Sequence, residues 1–157
     1  MKVTFRKSGG FDAVIDSLKR ISSVEIAVGF PKEGESTNKL HGKSHKRILD
    51  IAYWNHFGTP GAKHPIPPRP FLSNAESRLV DKVRMRLNKT GMSITNDDLL
   101  ETIGIASEEA VRMQIHAWNP PNNADATIAS KGFDHPLNDT GEMAEAVSYS
   151  IRKKTKK

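Results

Sequence analysis

Cysteine is absent from the 157 residues. That excludes disulfides and thiolate metal sites. Long apolar runs are also missing. No stretch is long enough to span a bilayer, and the first ten residues, MKVTFRKSGG, lack the apolar core of a signal peptide. Membrane partners are therefore not expected. Aromatics are only 6% and apolar residues 36% of the chain, enough for one domain with a modest core.

Familiar catalytic patterns are missing too. His41 and His45 are four apart but have Gly42 between them, and His56, His64, His116 and His135 share no ligand spacing. Gly58-Thr59-Pro60-Gly61 lacks the lysine of a phosphate loop. Asp139-Thr140-Gly141 has no second copy to form a protease dyad and reads as a helix start instead. No serine nucleophile arrangement stands out. The expectation is a protein that is not an enzyme and holds no metal or cofactor.

Positive charge is present, but it is concentrated. Of 24 Lys and Arg, five (Arg152, Lys153, Lys154, Lys156 and Lys157) fall in the last six residues, leaving 19 against 18 Asp and Glu. The body is nearly neutral, and the net +6 is largely a tail. Such a tail reads as a solubilising end. The alternative is contact with DNA or an acidic partner through counterion release.

The least ordinary stretch is IAYWNHFGTPGAKHPIPPRPFL, residues 51–72. Gly58 suits a left-handed helix end. Pro60 biases Thr59 toward extended backbone. Pro65, Pro67 and Pro68 fix backbone angles and remove donors, which excludes a central strand. Pro70 fits the first turn of a following helix. The stretch should stop one helix, run extended and launch the next, with Phe71 and Leu72 plugging the core. Tyr53, Trp54 and Phe57 are candidate core or subunit anchors, and Arg69 is a candidate tie to a carboxylate or carbonyl.

Elsewhere, alternation predicts strands over residues 2–7, 24–30 and 147–152. Helical spacing of apolar residues predicts helices over residues 11–22, 48–55, 70–88 and about 97–118, with a short one ending near Ala146. Asp139 or Thr140 should cap that short helix, with Glu142 at capping-box distance. Arg78, Lys82, Arg86 and Lys89 form a basic stripe that reads as a solvated face, a nucleic-acid groove being the alternative. The acidic start of the 97–118 helix suggests an antiparallel hairpin with this basic helix. Residues 31–47 and 120–138 read as long mobile loops. The expected architecture is α+β: a small, mostly antiparallel or mixed sheet of the three strands, packed against several helices. Residues 1–152 form one domain, and 153–157 are its basic tail.

Four motifs carry a resemblance. Asn55, Phe57, Gly58 and Thr59 give N-x-F-G-T. Ile66, Pro67, Pro68, Arg69, Pro70, Phe71 and Leu72 give I-P-P-R-P-F-L. Near the end, Thr127-Ile128-Ala129-Ser130-Lys131-Gly132 and Pro136-Leu137-Asn138-Asp139-Thr140-Gly141-Glu142-Met143 give T-I-x-x-K-G and P-L-x-D-T-G-x-M. In this order the chain resembles the tail-completion and head–tail joining (neck) proteins of long-tailed bacteriophages, the minor tail protein Z-like families. Those families often carry Glu where this chain has His56, and a small residue where it has Pro68.

The resemblance implies a structural virion protein that completes the tail end or joins tail to head. It implies a ring of identical subunits, expected to be a hexamer, assembled in the host cytoplasm against other neck, connector or tail proteins. Tyr53, Trp54, Asn55, Phe57, Gly58, Thr59, Arg69 and Phe71 are then the candidate subunit or partner contacts. The alternative is a basic accessory protein that binds nucleic acid through its tail and the Arg78–Lys89 stripe.

Overall fold

A computed structural model describes residues 9–31, 38–90 and 96–154. Helix α1 (Gly9–Ser22) leads into strand β1 (Val24–Gly29). Helices α2 (Ile48–Phe57), α3 (Phe71–Asn74), α4 (Glu76–Thr90), α5 (Asn96–His116), α6 (Asp125–Lys131) and α7 (Glu142–Glu145) follow, and strand β2 (Ser148–Lys153) closes the order. This is an α+β fold with a two-stranded antiparallel sheet among the described residues. The strand expected over residues 2–7 lies outside them.

The two described strands lie where the alternation suggested, and they pair antiparallel. Val24 faces Lys153 and Gly29 faces Ser148, with Ile26 opposite Ile151. Tyr149 uses a gap that helix α5 leaves open: a Cβ on Gly104 would lie 2.3 Å from its ring. Glycine inside a helix costs about 1 kcal/mol against alanine, so this site trades helix propensity for close approach of the sheet. Val147 is not in the strand. It is 1% exposed just before it and belongs to the core.

The core gathers around Phe71, which is fully buried with Ile48, Ile115 and Val147. Phe30 and His56 both meet the Phe71 ring edge-on, at centroid distances of 6.1 and 5.2 Å. Phe71 therefore plugs the core as expected, and it is not a surface contact. Leu18, an apolar residue of α1, is 61% exposed.

The helix expected over residues 70–88 is jointed at Ala75. Its N–H still reaches Phe71 O at 3.1 Å, and Leu79 N–H reaches Ala75 O at 3.0 Å, so the ladder bends without stopping. Helices α4 and α5 form the expected hairpin: Arg78 contacts Gln114 and Arg86 contacts Glu109, an antiparallel order. The Arg86 guanidinium lowers the Glu109 pKa, against the upward push of burial. The acidic start of α5 is used differently from expectation. Asp97 bonds Arg20 of α1 at 2.7 Å, so α4 does not take it.

Candidate functional site

The chain's unusual stretch is braced by its own polar residues. Asn55 donates Nδ2–H to Ile51 O at 2.9 Å, and its backbone O accepts the Arg69 N–H at 2.7 Å. Thr59 Oγ1 accepts the Ile66 N–H at 2.8 Å while Thr59 N–H donates to Ile66 O at 3.0 Å. Gly58 ends α2 at φ 75° and ψ 179°. This is not the left-handed helix cap expected from sequence. It is an extended positive-φ conformation that glycine alone adopts readily. A Cβ there would lie 2.8 Å from Ile66 O and 3.0 Å from Pro68 N. The extended segment is thus pressed against the helix end.

Arg69 then links this ramp to a distant loop. It is 4% exposed. Nε donates to Pro121 O at 3.2 Å, Nη2 to Asn122 O at 3.1 Å and Nη1 to Asn55 Oδ1 at 2.9 Å. Burial pushes its pKa down, with Asp134 opposing. The expected tie is to carbonyls, and it lies 52 residues away along the chain.

Lys131 does the same work on the other side. It ends α6, where Gly132 takes a left-handed cap at φ 83°. Nζ donates to His135 O at 2.8 Å and also to Asn138 O. The Nζ sits 4.9 Å from the Phe133 ring centroid, a cation–π contact. Residues 120–138, expected to be irregular, therefore carry a helix and are held by two cationic anchors, Lys131 within them and Arg69 from the ramp. The reason sequence missed α6 is physical: none of its residues is buried, so it shows no apolar stripe.

The third wall comes from residues 38–47, also expected as loop. Leu40 pairs with Arg47 in a single antiparallel bridge. Across from it, Asp139 takes Lys43 at 2.8 Å, and Glu142 takes Lys39 at 3.3 Å and the Gly42 N–H at 3.4 Å. A hydrogen bond from Thr140, helped by the Gly42 N–H and Lys39, holds the Glu142 pKa below the usual carboxylate range. The Asp139 capping role does not form. Thr140 bonds Glu142 instead, at 3.0 Å, and Gly141 is the N-cap residue.

Together these segments enclose a cleft of about 420 Å³. Trp54, Ile51, Ile66, Leu137 and Met143 supply apolar lining; Asn55, Arg69, Lys46, Lys131 and Asp139 supply polar lining. The volume falls in the range of small-ligand and side-chain pockets. The N-x-F-G-T and I-P-P-R-P-F-L motifs form one wall, and T-I-x-x-K-G and P-L-x-D-T-G-x-M form another.

One contact set in this wall departs from the sequence reading. Ser44 Oγ lies 3.3 Å from His41 Nδ1, and His41 Nε2 lies 3.6 Å from Glu142 and 3.9 Å from Asp139. These are the residue types of a nucleophilic triad. The geometry is that of a clamp. Nδ1 also accepts the Ser44 backbone N–H at 3.3 Å, a turn contact three residues long, and both carboxylates are already bound to lysines. Among the described residues no group of three or more His, Asp and Glu could hold a metal ion.

A comparison with protein families, curated proteins and solved structures finds no match. The remaining candidates are placed by the structure alone. Tyr53 and Phe57 meet at a tilt of 49° with ring centroids 4.8 Å apart on the outside of α2, 59% and 60% exposed, so neither is a core anchor. Arg152 and Lys153 belong to β2, and Lys154 N–H bonds Ser23 O at 2.9 Å. Arg152 is paired with Glu25 directly across the sheet at 2.6 Å. The expected tail thus begins inside the strand, and Lys156 and Lys157 lie outside the described residues. No described helix is long and apolar enough to cross a membrane. Sequence reasoning missed His41, Lys46, Leu137 and Met143 as cleft residues. The one available signal was the Lys39–Lys46 charge cluster and its acidic counterpart at Asp139 and Glu142.

Proposed function

We propose that the chain is a structural virion protein of a long-tailed bacteriophage. It completes the tail end or joins tail to head, as a ring of identical subunits in the neck, assembled in the host cytoplasm. The observation that carries this reading is a coincidence of two kinds. The motifs that resemble tail-completion and neck proteins occur in the same order, and their residues Asn55, Arg69, Lys131 and Asp139 converge on one cleft from positions far apart in sequence. Their side chains are spent on backbone carbonyls and clamps, which suits an assembly part better than a catalyst. The tilted Tyr53–Phe57 pair gives an exposed aromatic surface of the kind that anchors subunit contacts.

Electron microscopy of lysates from a phage deleted for this gene tests the reading. DNA-filled heads beside unattached tails are the expected outcome. Intact, infectious virions would overturn it.

A further inference from the structure

The cleft carries unbalanced charge. Lys46, Arg69 and Lys131 line it, and among the described residues none has a carboxylate within 4.0 Å. Its one lining carboxylate, Asp139, is neutralised by Lys43 at 2.8 Å. Arg69 and Lys131 direct their hydrogen bonds to neutral carbonyls, and Asp134 and Asp139 act on them only from beyond ion-pair distance, which leaves room for a partner's carboxylate. Trp54, Ile66 and Met143 give the same cleft an apolar lining. Positive charges beside an apolar lining favour an anionic partner that also brings an apolar group.

We propose that the cleft is a docking socket for an acidic peptide segment of a different protein. One large apolar side chain of that segment seats on Trp54, Ile66 and Met143, and its flanking carboxylates meet Lys46 and Lys131. A second copy of this chain is the poorer occupant, because its acidic-apolar run Asp97-Asp98-Leu99-Leu100-Glu101 is held within helix α5, with Leu100 6% exposed. Duplex nucleic acid is excluded by size, since a 420 Å³ cleft admits side chains and not a double helix. That the partner is a neighbouring neck or tail protein rests on the reading above; the chemistry of the socket does not.

The test uses the purified full chain and an acetylated, amidated hexapeptide with two glutamates on each side of a Leu-Phe pair. The chain has two tryptophans, one in the cleft and Trp118 in the core at 7% exposure, so two indole N–H signals report the site by NMR. Titration should move the Trp54 signal and leave Trp118 in place, with a Kd of about 0.1–1 mM for so short a probe. The shift should weaken at high salt. Lys46→Glu changes an exposed residue and should weaken binding roughly tenfold. Thr127→Trp, which fills the cleft from the exposed face of α6 without altering charge, should abolish it. A silent Trp54 signal, equal response to the peptide with lysines replacing glutamates, or an unchanged affinity in Lys46→Glu would overturn the proposal. Tighter binding of oligothymidylate at the same signal would also overturn it, in favour of single-stranded nucleic acid. The titration is independent of virion assembly. Intact virions on gene deletion would remove the neck reading and leave the socket standing, whereas joining defects with a silent titration would do the reverse.

Discussion

Removing the Arg69 fork should be among the most damaging single changes. Its guanidinium makes three hydrogen bonds, to Pro121 O, Asn122 O and Asn55 Oδ1. Bonds to a charged group contribute about 1.5–3 kcal/mol each, giving a ceiling of roughly 4–9 kcal/mol. Two effects lower it. Pro121 and Asn122 are exposed, so their carbonyls regain water when the loop shifts. Removing the arginine also returns the desolvation cost of a buried charge. About 2–4 kcal/mol should remain for Arg69→Met, which keeps the apolar stem. For a chain of this size that is a loss of roughly 4–16 °C in Tm. Arg69→Lys should lose most of the same amount, because one ammonium cannot reach three acceptors set around a planar fork. Thermal and urea melts of the two variants beside the parent decide the matter. A shift under about 2 °C for Arg69→Met would refute the reasoning, since losing even one such bond exceeds it. A Lys variant as stable as the parent would refute the fork geometry specifically.

Three further outcomes are expected. His56 has Nδ1 buried with no hydrogen-bond partner, and burial pushes its pKa down; below about pH 6.5 the unfolded chain takes up a proton that folded His56 resists, so stability falls with pH until the lowered pKa is reached. His56→Phe should flatten that dependence and raise Tm at pH 6, and an unchanged slope in pH-resolved melts would count against it. Gly104→Ala puts a Cβ 2.3 Å from the Tyr149 ring and should cost roughly 1–2 kcal/mol net of the gain in helix propensity, whereas in a Tyr149→Ala background the same change should become neutral or stabilising. Glu142→Gln should leave the denaturation midpoint unchanged but speed amide exchange several-fold across residues 39–47, because Lys39, Gly42 and His41 lose their anchor; equal exchange in both proteins would remove the clamp.

What sequence could reveal followed from local periodicity. The alternation of Val24, Ile26 and Val28 and of Tyr149 and Ile151 announced the two strands, and these pair. The long apolar stripe of α5 and the joint duty of Phe71 were legible for the same reason. Arg69 could be assigned a carbonyl or carboxylate, but its partners sit 52 and 53 residues away, and no local pattern encodes such a distance. Helix α6 escaped because it buries nothing and ends on a glycine cap, leaving Ile128 as its one large apolar residue. The wall at residues 38–47 escaped because its order comes from Asp139 and Glu142, about a hundred positions later. Gly58 was correctly read as a break, but its conformation was set by the approach of Ile66 and Pro68, which only the folded ramp creates.

The two cationic anchors hold their loops by main-chain oxygen. Arg69 grips Pro121 and Asn122, and Lys131 grips His135 and Asn138, in each case at the carbonyl. A carbonyl is supplied by every amino acid. The identities of these four positions are therefore only loosely tied to the path of the chain through them, apart from the backbone angles that proline restricts. Substitutions on this side of the cleft can accumulate while its outline persists. A lineage could thus change what the wall recognises by drift at a few loop positions, with the scaffold secured by two side chains that never read the letters they hold.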